Sequence, residues 1–261
     1  MTVKGNKTVV IVSDFHCGHV VGLTPPSYQS SSGSLEKFGE MQRAVWAHYA
    51  ETLKVLQPIH LLIVNGDCID GKGEKSGGTE LIEQDRTEQA QMAVECIEQT
   101  NAKNIIMTFG TPFHTGTLED FERSIADAVK CKIGSHEWID VNGVMFDVKH
   151  KIGGSVIPHG RYTAPARDRL WNQLWSIDGQ QPLADVIIRS HVHYFTYSGD
   201  ADVLTITTPA LQGYGSKFGA RQCSGRVDIG LISFNIDSKG GYTWRPHIMR
   251  SELQKAPISK L

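Results

Sequence analysis

Thr8–His19 reads TVVIVSDFHCGH, and this stretch decides the fold. Thr8–Val12 is a β-branched, apolar run without helical period, which predicts a buried strand. It stops at Ser13-Asp14-Phe15-His16. Asp14 and His16, two apart just past a strand, point the same way and can offer a carboxylate oxygen and an imidazole nitrogen to one metal ion. A lone Asp-x-His carries little weight. It gains meaning here because the same context recurs downstream.

Ile59–Val64 (IHLLIV) is a second buried-strand run and ends in Asn65-Gly66-Asp67. Asn104–Phe109 (NIIMTF) ends in Gly110-Thr111-Pro112-Phe113-His114, Val144–His150 closes on His150, and Asp185–Arg189 runs into Ser190-His191-Val192-His193. Ligand-type residues at the C-terminal ends of separate strands in an open α/β sheet converge in one crevice. Imidazoles and carboxylates without thiolate suit manganese, iron, zinc or nickel rather than a closed structural zinc. An Asp that bridges would hold two ions about 3.5–4 Å apart, the arrangement used in phosphoryl transfer.

Between these strands the pattern predicts helices over Leu35–Leu56, Thr79–Thr100, Leu118–Cys131 and Ala166–Ile177, the last with Trp171 and Trp175 on one face. Val20–Ser34 reads as a Pro/Ser/Gly-rich surface loop, and Asp70–Gly78 as a Gly-rich loop carrying Lys72 and Lys75. Trp138–Val141 and Val144–His150 flank Asn142-Gly143, a hairpin signal. Val203–Thr207, Ile229–Ile236 and Tyr242–Met249 complete the strands, followed by a polar tail at about 251–261. The expected fold is α/β: a β-sheet sandwich flanked by helices, in a single domain over 1–261, with the active site at the C-terminal ends of strands.

The bulk numbers narrow the class. The chain has 261 residues, 40% of them hydrophobic and 21% charged, so it is globular with ample core. A net charge of −2 gives no global reason for non-specific nucleic-acid binding. The five cysteines, Cys17, Cys68, Cys96, Cys131 and Cys223, form no CxxC pair and read as free thiols. No signal segment opens the chain and no apolar run is long enough for a membrane span, so a cytoplasmic, soluble protein is expected.

The ordered blocks Asp-x-His, Gly-Asp, Gly-Thr-Pro-Phe-His, His and Ser-His-x-His, spread from Asp14 to His193, resemble the calcineurin-like metallophosphoesterase superfamily. The phrases SDFHCGH, NGDCIDGKG and GTPFHTG also resemble divergent members found in phages and prophages. The resemblance implies that Asp14, His16 and His193 bind a first divalent ion, that Asp67 bridges, and that His150 and His191 bind a second. Manganese is the ion it implies first. It further implies phosphoester hydrolysis by a bridging hydroxide, with a catalytic His protonating the leaving oxygen.

Three departures from the superfamily pattern stand out. Asp70, three residues past Asp67, either supports a ligand from behind or caps the Gly-rich turn. Ser190 replaces a usual Gly. Where the family carries Gly-Asn-His, this chain has Gly110-Thr111-Pro112-Phe113-His114, so Thr111 falls at the position of an amide ligand and His114 is displaced by two residues. A neutral hydroxyl is a poorer ligand, while His114 stays the candidate general acid. His159, in the loop after His150, is the rival second-site ligand or a substrate-binding residue. His19 has a loop-stabilising reading beside the functional one, and His48, His60, His136 and His247 read as ordinary surface or core residues.

The substrate expected is a phosphodiester, in a nucleotide or nucleic acid, hydrolysed by a phosphodiesterase or nuclease. A phosphomonoesterase acting on protein or small molecules is the alternative. A non-catalytic scaffold with this fold, or a structural metal protein, would be expected to have lost ligands or to show a closed site. No phosphate-cradling GxxxxGK[ST] or GxGxxG context is present.

Overall fold

The computed structural model describes residues 5–29, 36–116, 119–214, 226–251, 253 and 258–260. Leu35, the start of the helix expected over Leu118–Cys131, Cys223 and parts of the Val20–Ser34 loop and the 251–261 tail lie outside these residues, as does the side chain of Lys75.

The first sheet is built from β1 (Lys7–Val12), β2 (Leu61–Asn65), β3 (Ile105–Thr108), β4 (Lys132–Gly134), β10 (Gly230–Ile236) and β11 (Tyr242–Ile248). Its order is β11-β10-β1-β2-β3-β4, with β1 to β4 parallel and β10 antiparallel to β1. The second holds β5 (Glu137–Val141), β6 (Val144–Val148), β7 (Val186–Arg189), β8 (Thr196–Gly199) and β9 (Leu204–Thr207), in the order β5-β6-β7-β9-β8. The helices are α1 (Glu36–Val55), α2 (Arg86–Glu98), the single turn α3 (Pro112–Thr115), α4 (Phe121–Ala128) and α5 (Thr163–Ile177).

The period of two along β1 sorts its side chains into two cores. Val9 and Ile11, with Ile63, Ile232 and Phe234, face Phe146, Val148, Val186 and Ile188 of the second sheet. Phe146 meets Phe234 edge to face at 5.2 Å, a geometry contributing about 1 kcal/mol beyond area burial. Val10 and Val12 turn the other way, against Val45 and Tyr49 of α1, Met92 and Ile97 of α2, and Ile125 of α4. The result is the expected α/β sandwich of two mixed sheets flanked by helices.

Several expectations are corrected. α2 begins at Arg86, not Thr79, because Asp85 caps it by accepting the Thr87 amide at 2.7 Å. The segment before it is turn and bridge instead of helix, with Leu81 bridged to His19 and the Ile82 amide on the Gly18 carbonyl at 2.8 Å. The start of the Val20–Ser34 loop is interior: Val20, Leu23 and Thr24 are fully buried. The short strands β4 and β8 lack an apolar run that would announce them. Pro112 opens the unforeseen single turn α3, where its fixed φ is tolerated. Among the described residues no helix is long and apolar enough to cross a membrane.

Candidate metal centre

The chain turns sharply after β1, β2 and β7, and the ligand-type residues take the strain of the turns. Asp14 (φ 52°), His16 (φ 45°), Asp67 (φ 52°), His191 (φ 73°) and His193 (φ 53°) all adopt the left-handed region. Such backbone costs on the order of 1–3 kcal/mol per residue and concentrates at functional sites. Two glycines let the loops close in. A Cβ on Gly110 would fall 2.2 Å from Asp67 Oδ1, and one on Gly66 would fall 2.7 Å from His150 Nδ1. Close backbone approach to the Asp67–His150 pair is therefore the physical content of the Gly-Asp and Gly-Thr blocks.

Two donor triads result. Asp14, His16 and His193 bring ligand atoms within 4.8 Å of one another, and so do Asp67, His150 and His191. Within the first, His16 Nε2 is 3.2 Å from His193 Nε2; the triads meet where His150 Nε2 stands 4.0 Å from Asp14 Oδ1. His114 enters a third grouping with His16 and Asp67. Asp14 Oδ1 is buried and accepts no hydrogen bond, although His193 Nε2 stands 3.2 Å away. Buried, anionic and without a hydrogen bond of good geometry among imidazoles, this oxygen fits a cation.

The imidazoles are oriented from behind, as metal ligands are. The Asn65 carbonyl can only accept, so His150 Nδ1 donates to it at 2.6 Å and Nε2 faces Asp67 Oδ2 at 2.9 Å. His16 Nδ1 meets Asp70 Oδ1 at 3.0 Å, which leaves Nε2 toward the triad. His114 Nδ1 donates to the Asp70 carbonyl at 2.9 Å. Asp70 therefore stands behind both His16 and His114, and the turn-cap alternative gives way.

Charge follows this arrangement. Burial alone would raise the Asp14 pKa, but His193 overrides it and brings it to about 2. Burial likewise opposes Asp67, whose bonds to His150 and His191 hold it well below the ordinary carboxylate value. Burial disfavours the His150 cation, yet the Asp67 carboxylate raises its pKa to about 10. A cation binding at these donors would compete with the proton on His150.

Thr111 donates its amide to Asp67 Oδ1 at 2.6 Å, with its hydroxyl 3.1 Å from the same oxygen and 3.3 Å from Oδ2. Ser190 is more than a tolerated glycine replacement. Its hydroxyl takes the Asn65 amide at 2.6 Å and meets Thr208 at 2.7 Å, in a buried network that reaches Ser13. His159 lies on an exposed 3-10 turn, Pro158–Tyr162, outside the three groupings. His19 accepts the Val21 amide at 3.2 Å, a loop-holding contact. Lys72 is exposed. His48, His60, His136 and His247 each hold a partner elsewhere, the His247 carbonyl, the Thr8 amide, Asp147 and Ser233 respectively.

Glu122 is the site-supporting residue that sequence reasoning did not single out. Fully buried on α4, it accepts the Cys68 amide at 2.9 Å and the Gly110 amide at 2.5 Å, tying the Asp67 loop to the Thr111 loop. Burial, then the nearby Asp67 charge, raises its pKa to about 7. A cleft of about 450 Å³ opens beside His150, lined among others by Gly110, Pro112, Lys149 and Lys151.

No family model and no curated protein matches the sequence. Solved structures to which the chain is similar include a single mutant of Vps29 from Entamoeba histolytica, 12% identical with a TM-score of 0.46 over 93% of this chain and 99% of that one. Vps29 from Cryptosporidium parvum is 10% identical with a TM-score of 0.47, over 95% and 100% of the two chains. A novel archaeal phosphodiesterase is 14% identical with a TM-score of 0.42, over 92% and 99%. At these identities the chemistry rests on this chain's own side chains.

Proposed function

We propose that this chain is a metal-dependent phosphoester hydrolase, a single calcineurin-like metallophosphoesterase domain with a dinuclear centre. The observation that carries the reading is the pair of adjoining Asp/His triads at strand ends, one of which contains a buried carboxylate oxygen that accepts no hydrogen bond. Asp14, His16 and His193 would hold one divalent ion, His150 and His191 the other, and Asp67 both. Manganese is the proposed metal, with iron, zinc and nickel compatible with the same donors. When bound, such ions supply Lewis-acid charge and a nucleophile at neutral pH.

The chain's own groups do the rest. Asp70 holds His16 and His114 in orientation. His114, beside His16 at a ring-centroid distance of 4.5 Å, is placed to give a proton to the leaving oxygen. Lys149 and Lys151 line the cleft and offer cations to a substrate's phosphate oxygens. A phosphodiester in a nucleotide or nucleic acid is the proposed substrate class.

Metal analysis combined with manganese-dependent hydrolysis of bis-p-nitrophenyl phosphate and p-nitrophenyl phosphate tests this. Turnover of the diester that vanishes with chelator and returns with manganese is expected. Faster turnover of the monoester would replace diesterase by monoesterase. Metal binding with no hydrolysis of either would favour a scaffold.

A further inference from the structure

Helix α5 is built inside out. Along its length only Pro165 and Asn172 are buried. The face toward the second sheet is polar. Asp168 pairs with Arg189 at 2.7 Å, Arg169 pairs with Asp200, and Asn172 accepts the Ala184 amide at 3.0 Å and donates to the Pro182 carbonyl at 2.9 Å. At 3.6 residues per turn, the opposite face carries Arg167, Leu170, Trp171, Leu174, Trp175 and, at the C-cap, Asp178. The apolar four are exposed by 55%, 54%, 43% and 41% in that order. A surface helix ordinarily turns such a stripe inward.

We propose that this stripe is a homodimer interface, in which α5 packs antiparallel on α5 of a second copy across a two-fold axis. The stripe is self-complementary under that operation. An axis passing between Asn172 and Gln173 exchanges position 167 with 178, 170 with 175 and 171 with 174. Arginine then meets aspartate, and each leucine meets a tryptophan, so a large side chain faces a smaller one at every apolar step. This is the isologous pattern a two-fold contact requires.

Charge supports the same occupant. Arg167 and Asp178 have no ion-pair partner within the chain among the described residues. Eleven residues apart, they lie about 16 Å from each other along the helix and cannot neutralise one another there. Antiparallel pairing brings each opposite its counterpart. One cation and one anion leave the stripe with no net charge to draw a polyanion. Leu170, Trp171, Leu174 and Trp175, with Ile177 (81% exposed) at the end of the helix, leave five large apolar side chains outside the core, a contiguous apolar face of the kind that marks an interaction site.

Sedimentation equilibrium of the full chain tests the proposal. At low micromolar concentration the mass should be twice 28.8 kDa. Leu174→Asp should return it to the single-chain mass with unchanged circular dichroism and unchanged hydrolytic rate per chain. Arg167→Asp and Asp178→Arg should each weaken the dimer by roughly tenfold, because both charge pairs of the homodimer become repulsive. Mixing the two variants in equal amounts should restore the dimer, since the mixed pair has two attractive contacts. A wild-type chain at single mass up to about 100 μM, a Leu174→Asp dimer, or a mixture no tighter than its components would overturn the proposal.

Discussion

His150 Nε2 lies 2.9 Å from Asp67 Oδ2, while Nδ1 of the same ring donates to the Asn65 carbonyl at 2.6 Å. Both ends of the imidazole are fixed, one by backbone and one by the central carboxylate. This pair joins the strand-end loop of β2 to the end of β6, so the second triad exists only because the two sheets are stacked.

From that rigidity follows the first prediction. His150→Ala should lose far more hydrolytic activity and bound metal than His159→Ala, whose side chain is exposed and outside the groupings. Comparable losses in the two variants, read by metal content and rate, would move the second-site ligand to His159.

Asp70 acts through other residues. Asp70→Ala should weaken metal binding by about 10–100-fold, the usual cost of removing the group behind a ligating histidine. It should also lower the rate at saturating metal, because the carboxylate it removes lies 3.8 Å from His114 Nδ1. Titration calorimetry separates the two effects. Unchanged affinity would reduce Asp70 to a turn-forming residue.

His114→Ala should keep both metals and slow turnover by roughly 10²–10⁴, the range for losing a general acid. The loss should shrink with a leaving group as good as p-nitrophenolate, which scarcely needs a proton. Loss of one ion instead would make His114 a ligand in the grouping with His16 and Asp67.

Glu122 sets a pH signature. Burial raises its folded-state pKa to about 7 from the ordinary 4.5. Between those values the folded chain holds a proton that the unfolded chain has released, so this residue makes stability fall as pH rises from 4.5 to 7. Glu122→Gln, neutral in both states, should remove on the order of 3 kcal/mol of that fall. Denaturant titrations at pH 5 and pH 8 check it. Parallel curves for the two proteins would show that the carboxyl is already ionised at pH 5.

The clustering of the ligand-type residues was legible in the sequence because strands within a sheet bring the residues at their ends together. Asp14, His16, Asp67, His150, His191 and His193 are brought together for that reason. The hairpin around Asn142-Gly143 was legible from its turn chemistry. Glu122 was not, since a glutamate on a short amphipathic helix looks like a solvated residue until the two loops above it are placed. α5 shows another limit. Its period predicts the helix, but not that Asp168 and Asn172 face inward while Trp171 and Trp175 face out. β4 and β8 are too short for any period, and Thr79–Asp85 departs from helix through a cap and tertiary contacts.

The central claim is that Asp67 serves two cations at once, and metal content per chain tests it most directly. After manganese loading and removal of excess metal, the wild type should retain two ions per chain, measured by plasma emission. Asp67→Asn should retain less than one and lose its hydrolytic activity, because only an anionic bridge offsets two nearby dications. A variant that keeps two ions and most of its rate would contradict the shared-ligand account.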